Sequence, residues 1–181
     1  MNEQASRKLF RTLLLFLAGT LVITASATVY NIMQMQASPV KAEPAKVQFV
    51  IADDSAVAGT SIGTNGTYVL FSGMSGWPNA TRVYEAAVGI KNFDTRSRII
   101  ELMFDSWSGS TENVDYIHVK IFDEGGTQQG YTVNVGTEGS STGTVNIPAG
   151  ATWRVQWEIK WKAEALSTDS VSVTLKLVIN E

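Results

Sequence analysis

Between Trp153 and Trp161, every second residue is a tryptophan, a valine or an isoleucine, and the residues between them are polar or charged. Successive side chains of a β-strand point to opposite faces, so this alternation predicts a strand with one face in a core and one in water. We therefore interpret the three tryptophans as core residues. The alternative is an exposed aromatic row that binds carbohydrate, but it would turn charged side chains inward, which is unfavourable.

The same period of two recurs along the chain, which predicts an all-β domain. Clear alternation covers residues 47–51, 84–90, 117–121 and 171–179, and weaker strands are predicted at 68–71, 99–104, 131–135 and 143–147. Segments rich in glycine, serine, asparagine and aspartate separate these strands. Many short strands between such turns are typical of an antiparallel β-sandwich or jelly roll.

The N-terminus has the pattern of a secretory signal peptide. The basic residues Arg7, Lys8 and Arg11 precede an apolar run over residues 13–23, and Ala25-Ser26-Ala27 follows. A basic region, an apolar region and a small-x-small site in this order predict cleavage after Ala27. We therefore assign residues 1–27 to a signal peptide.

Two alternatives keep the apolar segment. Residues 13–30 are just long enough to cross a bilayer, at the short limit of about 17 residues, and would then form an uncleaved anchor. In a type IV pilin-like subunit, the chain would be cut before the apolar run and residues 13–30 would stay as a helix. In each case the rest of the chain lies outside the cytoplasm.

Residues 28–45 are predicted to form an extended, mobile arm, and residues 46–181 the β-sandwich domain. Pro39 and Pro44 interrupt any helix in the arm. Its first part, residues 28–36, is rich in apolar residues that favour a strand, and Met33 and Met35 would lie on one face of it.

Composition argues against several classes of activity. The chain has no cysteine and one histidine, His118, at an outward-facing strand position, so zinc sites and serine triads are not expected. Residues 59–63 and 139–143 match G-x-S-x-G but lack the strand and helix of a nucleophile elbow. The acidic pairs at 53–54 and 123–124 are read as turn residues rather than calcium ligands. We expect neither an enzyme nor a cofactor.

The net charge bears on the partners of the chain, and two sequence motifs bear on its modification. The net charge of −3 does not favour nucleic acid, which requires a basic surface. The sequences Asn65-Gly66-Thr67 and Asn79-Ala80-Thr81 are N-glycosylation sequons in predicted loops of an exported chain. Asn65 and Asn79 are therefore candidate glycosylation sites.

Two segments carry a resemblance to a known family. Residues 76–99 place a proline turn before a long strand, then an asparagine-containing turn and another strand, and residues 147–153 place a Pro-x-Gly turn before a late strand. This layout resembles TasA/camelysin-type biofilm matrix fibre proteins, whose archaeal relatives form bundling pili. Pro78-Asn79-Ala80 stands where that family has Pro-Gly-Asp. The resemblance extends over most of residues 28–181.

The resemblance implies a structural subunit of an extracellular filament, with no catalytic residues. An incomplete sandwich leaves an open sheet edge, and a strand donated by the next subunit would cover it. The expected partners are copies of the same chain and neighbouring filaments in bundles; contact with membrane is expected only during export. The alternatives are a monomeric secreted or surface-anchored binding module and the type IV pilin-like subunit. The predicted donor-strand residues are Val29, Tyr30, Ile32, Met33 and Met35.

Overall fold

The computed structural model describes residues 44–180, so the predicted signal peptide and almost all of the arm lie outside the described residues. Strands dominate this part of the chain, with one four-residue helix and a single 3-10 turn at Thr111–Asn113. In chain order the elements are β1 (Val47–Val50), α1 (Ser55–Ala58), β2 (Thr60–Ile62), β3 (Val69–Phe71), β4 (Thr81–Asn92), β5 (Arg98–Gly109), β6 (Val114–Phe122), β7 (Gln128–Asn134), β8 (Val145–Ile147), β9 (Thr152–Trp161) and β10 (Val171–Asn180).

The strands form a five-stranded sheet in the order β1-β4-β9-β6-β7, a three-stranded sheet in the order β10-β5-β8, and the hairpin β2-β3. Every strand pair is antiparallel. Apolar side chains from all three sheets belong to one core. The predicted all-β sandwich is confirmed, while a jelly roll in particular stays a prediction.

The alternating strand β9 lies at the centre of the five-stranded sheet, between β4 and β6. Trp153 and Trp157 are 4% and 6% exposed, and Trp161 is half-buried. The interpretation of these tryptophans as core residues is therefore confirmed, although the last one lies at the margin of the core.

Strand β4 contains a bulge that explains the position of α1. Between Tyr84 and Val88 the register against β9 shifts, so three residues of β4 face a single residue of β9. The backbone of the bulge is capped from α1, where Ser55 Oγ donates a hydrogen bond to the carbonyl of Ala87 at 2.9 Å. A bulge frees backbone groups from the sheet, and these contacts satisfy them.

Sequence alternation did not predict the structure between the end of β1 and the end of β2. Ile51 was predicted on the core face but is 66% exposed, because β1 ends at Val50 and the chain turns towards α1. The helix α1 and the strand β2 were not predicted. Their four and three residues are too few for a period to be visible.

Asn92 fixes the corner where β4 turns into β5. The side chain is fully buried and its Oδ1 accepts the backbone N–H of Asp94 at 2.9 Å. Its Nδ2 donates to the carbonyls of Arg96, Ile147 and Pro148 at 2.8, 3.2 and 3.0 Å. One side chain thus ties the turn to the end of β8 and joins the two larger sheets.

Candidate subunit-contact site

The described sheets end in strands of very different length. Strands β1, β7 and β8 have four, seven and three residues, and each hairpin strand has three. Strand β10 has ten residues, so it is the longest edge strand of residues 44–180. Proteins normally keep exposed edges short, because an open edge is a template for pairing with another chain.

One side of β10 is paired and the other is open. The strand pairs with β5 from Val171↔Gly109 to Asn180↔Ile99. Within the described part of the chain, β5 is the only strand that pairs with it. The outer side of β10 therefore presents a row of backbone donors and acceptors.

Strand β5 itself is covered on both sides. Strand β8 pairs with its first three residues. The loop before β8 pairs with the next residues of β5. The N–H of Thr142 donates to the carbonyl of Leu102 at 2.9 Å, and the N–H of Phe104 donates to the carbonyl of Ser140 at 2.9 Å. Among residues 44–180, the β8 side of β5 is thus covered as far as Phe104, whereas the outer side of β10 has no partner strand.

The apolar face of β10 is incompletely buried. Its alternate residues face the core but remain half-buried, whereas the residues between them are exposed. Across the strand pair, Leu177 and Ile179 stand opposite Leu102 and Ile100, which are 4% and 0% exposed. Facing pairs share one side of a sheet. The half-buried face consists of Val171, Val173, Leu175, Leu177 and Ile179.

Few features protect the β10 edge. The strand has no proline, and its single charged residue, Lys176, lies on the exposed face, where its ammonium pairs with Asp105 of β5. The register shifts once against β5, between Thr174 and Leu175. Prolines, lysines, bulges and inward-pointing charges are the usual devices against edge pairing, and over its ten residues β10 has one lysine and one register shift. Strand β10 is thus chemically suited to accept another strand, and we call its open side and half-buried face the β10 edge.

The hairpin β2-β3 offers a second, shorter pair of edges. Phe71 packs against the core, with its ring 5.6 Å from that of Trp157 at an interplanar angle of 64°. Ile62 and Val69 are half-buried beside it. Because each hairpin strand has three residues, it can support only a fraction of the pairing that β10 can.

The residues predicted for other roles occupy separate places. The five donor-strand residues of the arm lie outside the described residues. Asn65 and Asn79 are both exposed in turns, in agreement with the prediction of loops, but glycosylation itself stays a prediction. Asn65 Oδ1 accepts a hydrogen bond from the hydroxyl of Thr67 at 2.8 Å.

His118 lies on the outward face of the five-stranded sheet. Its ring stacks on Tyr116 with centroids 4.5 Å apart, and its Nδ1 is 3.7 Å from a carboxylate oxygen of Glu158. That carboxylate also pairs with Lys120 at 2.6 Å. His118 is therefore part of a cluster of interacting polar side chains on the outward face of this sheet, together with Tyr116, Lys120 and Glu158.

An aspartate in each acidic turn accepts a hydrogen bond from a backbone N–H. Asp54 Oδ2 accepts the N–H of Ala86 at 3.1 Å, and Asp123 Oδ1 accepts that of Thr127 at 2.8 Å. Between residues 44 and 180, no group of three or more acidic or histidine side chains is placed to hold a metal ion. No helix within that same stretch is long and apolar enough to cross a bilayer.

Ion pairs shift the pKa of two surface groups. A hydrogen bond from Arg98 lowers the pKa of Asp94 in the turn after β4. A hydrogen bond to Asp115 raises the pKa of Lys160 on β9. Both pairs lie outside β10, whose half-buried face carries no ionisable side chain.

No protein-family model matches this chain, and no curated protein matches it either.

Proposed function

We propose that this protein is the structural subunit of an extracellular filament, in which residues 28–36 of one copy add as a strand to the β10 edge of the next copy. The observation that carries the proposal is that the ten-residue edge strand β10 has a half-buried apolar face and one side that no strand among residues 44–180 pairs with. The resemblance to biofilm fibre proteins supports the same arrangement.

The arm matches the β10 edge in length and composition. At about 3.3 Å per residue, nine extended residues span about 30 Å and the ten residues of β10 about 33 Å. Val29, Met33 and Met35 would share one face of the donated strand, and Tyr30 and Ile32 the other. Backbone hydrogen bonds would supply affinity, and the apolar side chains would bury the exposed part of the β10 face.

Donation between copies yields a filament, whereas insertion into the same copy would yield a monomer. Strand β1, which follows the arm, lies at an edge of the other large sheet. Pro39 and Pro44 favour an extended connector between the arm and β1. Head-to-tail donation leaves one free arm and one free edge at the ends, so it does not close on itself.

Export would control this assembly. Cleavage after Ala27 would free the arm at Thr28, outside the cytoplasm. The filament would then form only at the cell surface, where adhesion and bundling with neighbouring filaments follow from its position.

Deletion of residues 28–36 tests the donor. The signal peptide is kept, and the secreted protein is examined by electron microscopy and by light scattering coupled to size-exclusion chromatography. We expect filaments from the intact chain and monomers from the deletion. Filaments of normal length from the deletion variant, or monomers from the intact chain, would contradict the proposal.

Two adjacent substitutions test the acceptor. Leu177→Lys places a charge on the half-buried face of β10, whereas Val178→Lys places it on the opposite face, where Val178 is already 36% exposed. We expect Leu177→Lys to abolish filaments and Val178→Lys to leave them. A peptide of residues 28–36 should raise the Tm of the arm-deleted protein, and the same peptide carrying Met33→Asp and Met35→Asp should not. This peptide test remains informative even if Leu177→Lys fails to fold.

A further inference from the structure

Residues 77–80 form a tight turn that holds Asn79 in an unusual backbone conformation. Asn79 has a φ of 56° and is the one non-glycine residue with positive φ between residues 44 and 180. The turn closes between the N–H of Ala80 and the carbonyl of Trp77 at 3.4 Å, with Pro78 before Asn79. Proline followed by a residue of positive φ is the signature of a type II turn.

This turn is anchored to the end of β9. The backbone N–H of Asn79 donates to the carbonyl of Trp161 at 2.9 Å, and Pro78 forms an isolated bridge with the same residue. The Asn79 side chain is exposed, and none of the described residues hydrogen bonds to it. The backbone is therefore fixed while the amide projects into solvent.

The turn also presents a rigid aromatic surface. Trp77 is 54% exposed, which is unusual for so large an apolar side chain. The guanidinium of Arg82 lies 5.0 Å from the Trp77 ring centroid and 4.8 Å from that of Tyr84. Arg82 also hydrogen bonds to Ser75 Oγ. These contacts hold the indole in place and leave about half of it open.

We propose that Asn79 carries an N-linked glycan whose first pyranose packs on the exposed indole of Trp77. Asn79-Ala80-Thr81 is a complete sequon in a chain with an export signal. Consecutive Cα atoms are about 3.8 Å apart, so those of Trp77 and Asn79 are within about 7.6 Å of each other. The C–H groups on one face of a pyranose carry partial positive charge and pack favourably on the negative face of an aromatic ring.

The modification is a transfer from a polyprenyl-diphosphate oligosaccharide by a membrane transferase outside the cytoplasm. Asn79 Nδ2 attacks the anomeric carbon of the donor and loses one proton. The bond between that carbon and the diphosphate oxygen breaks, and the diphosphate leaves with the electron pair. The reaction requires export to the compartment that holds this transferase and its donor, and it does not require filament formation.

The second sequon provides a matched control within the same molecule. Asn65 is exposed in a turn, but the two residues before it are Gly63 and Thr64, so no aromatic ring precedes it. Its amide oxygen is already held by the hydroxyl of Thr67. The exposed aromatic residue nearest to Asn65 in sequence is Tyr68, three positions later, so the effect of a glycan at Asn65 should not depend on Trp77.

Glycopeptide mass spectrometry of the secreted full-length protein from its native cells tests the modification. We expect a hexose- or N-acetylhexosamine-bearing peptide that contains Asn79, and its loss in Asn79→Gln. An unmodified Asn79 in the secreted protein would overturn the proposal, whether or not the protein forms filaments.

A double-mutant cycle tests the stacking. The Tm of the glycosylated protein is compared with that of Asn79→Gln, in the presence of Trp77 and in Trp77→Leu. We expect the glycan to raise the Tm by about 3 °C with Trp77 and by less than about 1 °C with Trp77→Leu. Removing any Asn65 glycan with Asn65→Gln should change the Tm equally in both backgrounds.

An equal rise at Asn79 in both backgrounds would refute packing on Trp77. If Trp77→Leu does not fold, Trp77→Phe replaces it and should reduce the glycan-dependent rise without abolishing it. A rise that is unchanged in Trp77→Phe would count against the proposal in the same way.

Discussion

Replacing Asn92 by alanine should destabilise the domain more than any comparable change at an exposed asparagine. The side chain is fully buried and hydrogen bonds to Asp94, Arg96, Ile147 and Pro148. Alanine removes all of these bonds at once and leaves buried backbone groups of the β4–β5 corner without partners.

The magnitude follows from the number of bonds that are lost. Each net hydrogen bond contributes about 1 kcal/mol, and a buried group left without a partner loses about 1–3 kcal/mol. The amide of Asn92 has two N–H groups and one carbonyl oxygen, so three such bonds are at stake. We expect the free energy of unfolding to fall by about 3 kcal/mol, a large share of the 5–15 kcal/mol typical of a domain.

Urea unfolding followed by tryptophan fluorescence measures this change. The arm-deleted protein is the parent for all variants, so that assembly does not contribute to the unfolding curve. Asn146→Ala is the control because Asn146 lies exposed on β8 next to Ile147, and it should change stability by less than about 0.5 kcal/mol. If the free energy of unfolding of Asn92→Ala stays within about 1 kcal/mol of the parent, then Asn92 does not hold the two sheets together.

Two further outcomes are expected. Gly130→Ala should lower the free energy of unfolding by at least about 2 kcal/mol more than Gly139→Ala in the same urea assay. Both glycines have a φ of 72°, but a Cβ added at Gly130 would lie 2.2 Å from the carbonyl oxygen of Thr142, whereas one added at Gly139 would have no atom within 4 Å. Equal losses would show that the loop before β8 is not tightly packed against Gly130. Arg98 lowers the pKa of Asp94 in the folded state, so the stability that this carboxylate contributes is complete above its unfolded pKa of about 4 and is lost as the pH falls through the lowered folded pKa. Asp94→Asn should therefore flatten the pH dependence of Tm below about pH 4. An unchanged slope would show that the Asp94–Arg98 pair does not cause this pH dependence.

The strands themselves were predictable because burial of one face leaves a trace in every second residue. That trace was clear in β9, where Trp153 and Trp157 are buried as predicted. It failed in β4, where Ala87 and Gly89 were predicted to alternate outwards but residues 86–90 are all buried at and after the bulge. It was absent in α1 and β2, which are too short to show a period and whose Ser55 and Thr60 hydroxyls donate to the carbonyl of Ala87 in the β4 bulge.

The glycosylation candidates could be identified from the sequence, but their surroundings could not. The sequon at Asn79 is a local pattern, and the proline before it already indicated a turn. The cation–π contact between Arg82 and Trp77 depends on how the start of β4 folds back beside the turn. Local patterns survive in the sequence, whereas contacts between segments depend on their relative placement.

The sequence by itself predicted the all-β fold, since period-two alternation places one face of each strand in a core and the other in water. Residues 171–179 alternate as clearly as the strands of the five-stranded sheet, so nothing in their pattern distinguishes an edge strand from a central one. Only the tertiary structure decided that, among the strands of residues 44–180, β10 pairs with β5 alone and leaves its apolar face half-buried. Alternation within a segment indicates which face of a strand packs on the core. Whether an edge of that strand is paired depends on which other segments of the chain lie beside it.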